Sequence, residues 1–150
     1  MASEVYLDYN ATSPLHPEVR QRMAPFLEEA FGNPSSLHAK GRQAREAIES
    51  VRARILLGLG DPAGQLIFTS GGTEADNLGL AGICRARREK GDHLIVSAVE
   101  HHAVLHPAQA LGREGWRVTI LPVDSQGWVD PAAVEKAITS ETVLISVMHA

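Results

Sequence analysis

Leu66-Ile67-Phe68-Thr69-Ser70-Gly71-Gly72-Thr73-Glu74 decides how the rest of the chain is read. A short apolar run ends in a polar turn with two adjacent glycines, and a helical pattern opens at Glu74. The stretch predicts a strand over Leu66–Thr69, a tight turn and a helix over Glu74–Glu89. Further apolar runs at His93–Val99, Arg117–Leu121 and Thr142–Met148 predict three more strands. Helical patterns over Ala103–Glu114 and Ala132–Ile138 fill the gaps. This alternation predicts an α/β fold with a mostly parallel sheet flanked by helices. Asp130-Pro131 supplies a capping carboxylate and a proline for the first helical position. Gly91-Asp92 and Gly115 are placed to stop helices ahead of strands.

Upstream the order differs. A short strand over Val5–Tyr9 leads into Thr12-Ser13-Pro14, and helices are expected over Glu18–Ala30 and Leu37–Leu57. Phe31-Gly32-Asn33-Pro34-Ser35-Ser36 joins them as a turn, with Ser35 or Ser36 expected to cap the second helix. This front section reads as an arm and a helical lead-in.

The chain has 150 residues, 44% apolar and 21% charged, which suits one domain or a large piece of a bigger enzyme and excludes wholesale disorder. Its 14 basic and 18 acidic residues give a formal charge of −4, and the basic residues form no stripe, so nucleic acid is not the expected partner. No apolar run approaches a membrane span, and the first residues lack the basic-then-apolar order of a signal peptide. With a single cysteine, Cys84, the expected setting is reducing and cytoplasmic. The chain stops at Met148-His149-Ala150 straight after an apolar strand, where a parallel sheet places a functional loop. It is therefore expected to be the front part of a longer protein.

Two stretches carry candidate chemistry. At Gly71-Gly72-Thr73 the helix N-terminus offers unpaired N–H groups and a favourable dipole, with the Thr73 and Ser70 hydroxyls beside them. A phosphate monoester suits such a site; a plain tight turn with Thr73 as N-cap is the competing reading. Neither the Walker nor the dinucleotide glycine pattern is present. Glu100-His101-His102 follows the strand His93–Val99, on the same sheet edge as the diglycine turn. An imidazole there could stack on a flat ring or move a proton near neutral pH. A metal held by His102 and His106, or a solvated histidine pair, are the alternatives, and no metal centre is expected. Cys84 reads as a packing residue. Arg85, Arg87 and Arg88 read as a solvated helix end, and none of Lys40, Lys90 and Lys136 has the setting of a Schiff-base lysine.

Together these segments resemble the cysteine desulfurases of the class V aminotransferase group, fold-type I enzymes that use pyridoxal 5′-phosphate. The resemblance rests on Tyr6-Leu7-Asp8-Tyr9-Asn10-Ala11-Thr12, Gly32-Asn33-Pro34-Ser35-Ser36-Leu37-His38, Thr69-Ser70-Gly71-Gly72-Thr73-Glu74-Ala75-Asp76-Asn77 and Glu100-His101-His102-Ala103-Val104. It implies a cytoplasmic homodimer that takes sulfur from L-cysteine, leaving L-alanine and an enzyme persulfide, and passes it to a sulfur acceptor or iron–sulfur scaffold protein. It implies that residues 1–15 form an arm of the small domain and that residues 16–150 begin the cofactor-binding large domain. By position, Gly71, Gly72 and Thr73 would hold the cofactor phosphate, His101 would stack on its ring and assist proton transfer, and Asn33 would lie near the substrate. The family's cofactor-linking lysine and persulfide cysteine have no counterpart in these residues, so the 150-residue chain alone is not expected to turn over. A selenocysteine lyase, a class V aminotransferase and a non-catalytic phosphate-binding or dimerising fragment are the alternative readings.

Overall fold

The computed structural model describes residues 5–149, which fall into two compact units divided between Leu66 and Ile67. The first unit contains helix α1 (Pro17–Glu28) and helix α2 (Ala39–Gly58). Pro17 opens α1, where a missing N–H costs nothing, and His16 caps it by accepting the Glu18 N–H on Nδ1 at 3.3 Å. Between the helices, Asn33 Oδ1 accepts the Ser35 N–H at 2.9 Å and the Asn33 carbonyl accepts the Ser36 N–H at 3.0 Å. This Asn-Pro turn holds both serines, and α2 starts three residues beyond it, at Ala39. Its cap is His38, which accepts the Gly41 N–H on Nδ1 at 3.4 Å, rather than Ser35 or Ser36. Arg45 ties the turn to α2 through the Pro34 carbonyl at 2.9 Å, and Arg52 donates to the carbonyl of Leu66.

The strand expected over Val5–Tyr9 is absent. The Tyr6 hydroxyl instead donates to the carbonyls of Asp8, at 2.9 Å, and Thr12, at 3.3 Å, closing a turn. The stretch Leu66–Thr69 likewise carries no strand pairing among the described residues. β-branched and apolar residues favour extension, but a strand exists only where its backbone groups find a ladder partner. Part of the arm expected over residues 1–15, and the final Ala150, lie outside the described residues.

The second unit carries the predicted α/β alternation. Helix α3 (Gly72–Ala86) is followed by one 3-10 turn, strand β1 (His93–Ser97), helix α4 (His102–Arg113), strand β2 (Arg117–Leu121), helix α5 (Pro131–Ala137) and strand β3 (Thr142–Ser146). The three strands form a sheet in the order β2-β1-β3, and both pairings are parallel. All five residues of the central strand β1 are buried, which explains its unbroken apolar sequence between His93 and Ser97. Leu94 and Val96 face Leu80 and Cys84 of α3 and Val104, Ala108 and Leu111 of α4, with Trp116 closing the cluster. Cys84 is therefore a packing residue, fully buried, and burial pushes its thiol above the usual cysteine value. The helix end behind it is less simply solvated than its arginines suggest. Arg85 pairs with Glu114 at 3.1 Å, and the Arg88 guanidinium lies 4.5 Å over the Trp116 ring.

Two glycines terminate helices for different reasons. Gly115 adopts φ +88°, the left-handed region that stops α4. Gly91 is extended, but any Cβ there would run into the Glu141 carbonyl ahead of β3. At α5, Asp130 Oδ1 accepts the Ala132 N–H at 2.9 Å and Pro131 takes the first helical position, as the sequence implies.

His93 opens β1 at the amino edge of the sheet, away from the loops that follow the strands. Its ring is buried between the hydroxyls of Thr142, 2.7 Å from Nδ1, and Thr119, 2.9 Å from Nε2. Burial first, then the Arg117 charge, lowers its pKa below the ordinary value of 6.5, with Asp92 opposing. The unfolded chain thus binds a proton below pH 6.5 that the folded one resists, and His93 contributes stability above that pH which is lost on acidification. The urea midpoint should fall between pH 7 and pH 5. The fall should be smaller in His93→Gln, whose amide can serve both threonines without titrating.

Candidate active site

The residues singled out in the sequence around the diglycine turn and the histidine pair belong to the second unit. α3 begins at Gly72, two residues earlier than the apolar pattern indicates, and its N-cap is Gly71 rather than Thr73. Gly71 offers no side chain to the first-turn amides. A Cβ built on Gly71 or Gly72 would meet nothing within 4 Å, so the turn is open rather than packed with hydrocarbon. The helix therefore presents N–H groups, the positive end of its dipole and the Thr73 side chain to an accessible space. These features fit a bound phosphate.

Glu74, the acidic residue of this first turn, reaches backwards. One oxygen, Oε2, accepts both the Ser70 N–H and the Ser70 hydroxyl at 2.6 Å. Both bonds run from Ser70 to Glu74, which is the backward-reaching half of a capping box, and they fix the entry of the chain into the turn. The Ser70 hydroxyl, then the Ser70 amide, hold the Glu74 carboxyl below its ordinary value of 4.5. Asn77, one turn further on, donates from Nδ2 to the carbonyls of Thr73, at 2.8 Å, and Ala103 in α4, at 3.4 Å.

His101 caps α4, with Nδ1 accepting the Ala103 N–H at 3.1 Å. A nitrogen that accepts carries no proton, so the neutral ring bears its hydrogen on Nε2, the atom left for other chemistry. The preceding residue, Glu100, is buried, and its Oε1 accepts the Ser146 hydroxyl at 3.1 Å. The β1–α4 turn is thereby fastened to the end of β3.

Thr73 and His101 line the same depression, about 460 Å³, together with Asn77, His102, His106 and Arg113. A second depression of about 700 Å³ opens on the carboxyl edge of the sheet between Val99, Trp128, Val147 and His149. His102 and His106 stack with centroids 4.9 Å apart and planes 18° from parallel. Among the described residues no three His, Cys, Asp or Glu side chains group as metal ligands. Asn33 belongs to the first unit, where its side chain is engaged in the local turn. Glu74, Asn77 and Glu100 escaped the reading of the sequence as site residues. Their motif positions gave the only signal, since their partners lie in a turn or on other elements.

The comparisons with known proteins bear on the family and the fold. The family model described as aminotransferase class-V matches residues 5–150. The chain belongs to that family. A cysteine desulfurase IscS from Dictyoglomus turgidum is 52% identical over the whole chain, and one from Clostridium botulinum strain Kyoto is 47% identical. The chain spans 38% of the length of each. Among solved structures, a NifS-like protein superposes with a TM-score of 0.91 at 34% identity, covering 99% of this chain and 41% of that one. A structure described as SspA in complex with cysteine gives 0.87 at 36% identity, covering 97% and 42%. Residues 72–146 thus form a three-stranded parallel part of a class-V aminotransferase fold, and α3 and α4 start on its carboxyl edge.

The Ser70–Glu74 contact makes a prediction about acid. A depressed folded pKa contributes stability that is present above pH 4.5 and lost as pH falls through the lower folded value. Ser70→Ala should shrink the loss of stability between pH 6 and pH 3, measured by urea unfolding. An unchanged loss would remove the contact from the account.

Proposed function

We propose that this chain forms the N-terminal portion of a cysteine desulfurase that uses pyridoxal 5′-phosphate. The observation that carries the reading is the shared depression of Thr73 and His101 beside an open, uncapped helix start. The N–H groups at Gly71, Gly72 and Thr73 and the Thr73 hydroxyl hold the phosphate. The His101 ring would lie against the pyridine, with Nε2 placed to move a proton during the reaction. When bound, the cofactor supplies the electron sink, while the protein supplies orientation and electrostatics. Asn33 lies on the substrate side. Residues 1–15 form the arm of the small domain, and residues 16–150 open the large domain.

The substrate is L-cysteine, a choice supported by the 52% identical desulfurase and by the cysteine-bound relative. The products are L-alanine and a persulfide on the enzyme. Cys84 does not carry that persulfide, because it is fully buried with a raised thiol pKa. The sulfur passes to an acceptor or iron–sulfur scaffold protein, and the enzyme works as a cytoplasmic homodimer.

The test measures cofactor absorbance and alanine formation in the intact protein. His101→Ala should bind the cofactor but form alanine about 10²-fold more slowly or worse, the usual cost of losing a proton-transfer group. Thr73→Val should raise the cofactor concentration for half-saturation by roughly tenfold, through loss of a hydrogen bond to a charged group. An intact protein that neither binds the cofactor nor forms alanine contradicts the reading.

A further inference from the structure

Pro107 lies inside α4. A proline has no N–H, so the carbonyl four residues back, that of Ala103, loses its helical donor. Ala103 is buried, which makes an unpaired carbonyl there costly. The missing donor comes from another helix, since Asn77 Nδ2 of α3 points one hydrogen at the Ala103 carbonyl and the other at the Thr73 carbonyl. Both partners are pure acceptors, so only the NH2 end of the amide fits. The N–H of the same Ala103 is held by His101 Nδ1. Ala103 is therefore gripped at its N–H by the imidazole and at its carbonyl by Asn77, whose other bond reaches the phosphate-holding turn.

We propose that Asn77 is a positioning residue that fixes Thr73 relative to His101, with Pro107 leaving the Ala103 carbonyl vacant for it. The proposal rests on the cofactor reading above for its consequence in catalysis. The brace itself rests on the hydrogen bonds alone. Asparagine suits the position because aspartate of the same shape would set a carboxylate against two carbonyl oxygens. Pro107 turns a helix defect into an inter-helix tie, and it makes the tie separable from the simple need to satisfy a buried carbonyl. In Pro107→Ala the helix supplies its own donor to Ala103.

The experiment compares Asn77→Ala, Pro107→Ala and the double variant in the intact protein. Alanine is a good helix former at both positions, so neither exchange breaks its helix, and the stability lost in Asn77→Ala is that of the unpaired Ala103 carbonyl. In cofactor-free protein labelled with 15N-histidine, the two ring nitrogens of His101 should give the well-separated signals of one tautomer. In Asn77→Ala they should move toward a common average. With cofactor bound, Asn77→Ala should lower kcat by about tenfold, with KM for cysteine within twofold, because a misplaced group costs rate more than binding. The double variant should regain thermal stability while kcat and the His101 signals stay displaced.

The proposal is overturned if His101 is unmoved in Asn77→Ala. It is also overturned if stability, kcat and the His101 signals all recover together in the double variant, since Asn77 would then only fill a vacant carbonyl. If His101 moves as expected but the parent protein neither binds the cofactor nor forms alanine, the brace stands and the cofactor reading falls.

Discussion

The amide groups in the first turn of α3 have no partner within their own helix, and the residue that caps the helix brings no side chain to them. Such groups demand a partner. In most helices a Ser, Thr, Asp or Asn at the cap provides one. Here Gly71 stands at the cap, Ser70 is committed to Glu74, and Thr73 lies one place inside the helix. The site is left with donors, a favourable dipole and free space, the three conditions for holding a phosphate.

The fold delivers His101 to the same place through parallel topology. In a parallel α/β sheet the loops after the strands all emerge on one edge. α3 and α4 pack against each other over one face, so their first turns become neighbours. Glu100 fastens the β1–α4 turn to Ser146 in β3, and Asn77 links the two helix starts. The site thus depends on both the buried β1 strand and contacts between side chains that are distant in sequence.

The parts legible in the sequence were those governed by local periodicity and local capping. The alternation from His93 onward, the Asp130-Pro131 start and the Gly115 stop follow from patterns within a few residues of each other. The diglycine turn and the His101 loop do share an edge, but the packing of α3 against α4 brings them together, not the strand expected over Leu66–Thr69. Two expected strands failed for a reason that local pattern does not contain, since neither Val5–Tyr9 nor Leu66–Thr69 has a ladder partner among the described residues. Ser35 and Ser36 do not cap α2 because the Asn33-Pro34 turn runs through both of them and the helix begins only at Ala39, which puts His38 at the cap. Asn77 was hidden because its meaning depends on Pro107, 30 residues away and in another helix. A proline inside a helical pattern signals a vacant carbonyl, but only the packing reveals which side chain fills it.

The most direct test of the central claim is a crystal structure of the intact protein with pyridoxal 5′-phosphate bound. The account predicts phosphate oxygens about 2.7–3.2 Å from the Thr73 hydroxyl and the amides of the diglycine turn. It also predicts the His101 ring parallel to the pyridine, with Nδ1 still accepting from Ala103. A phosphate held by other residues, or a His101 ring turned away from the heterocycle, would contradict it.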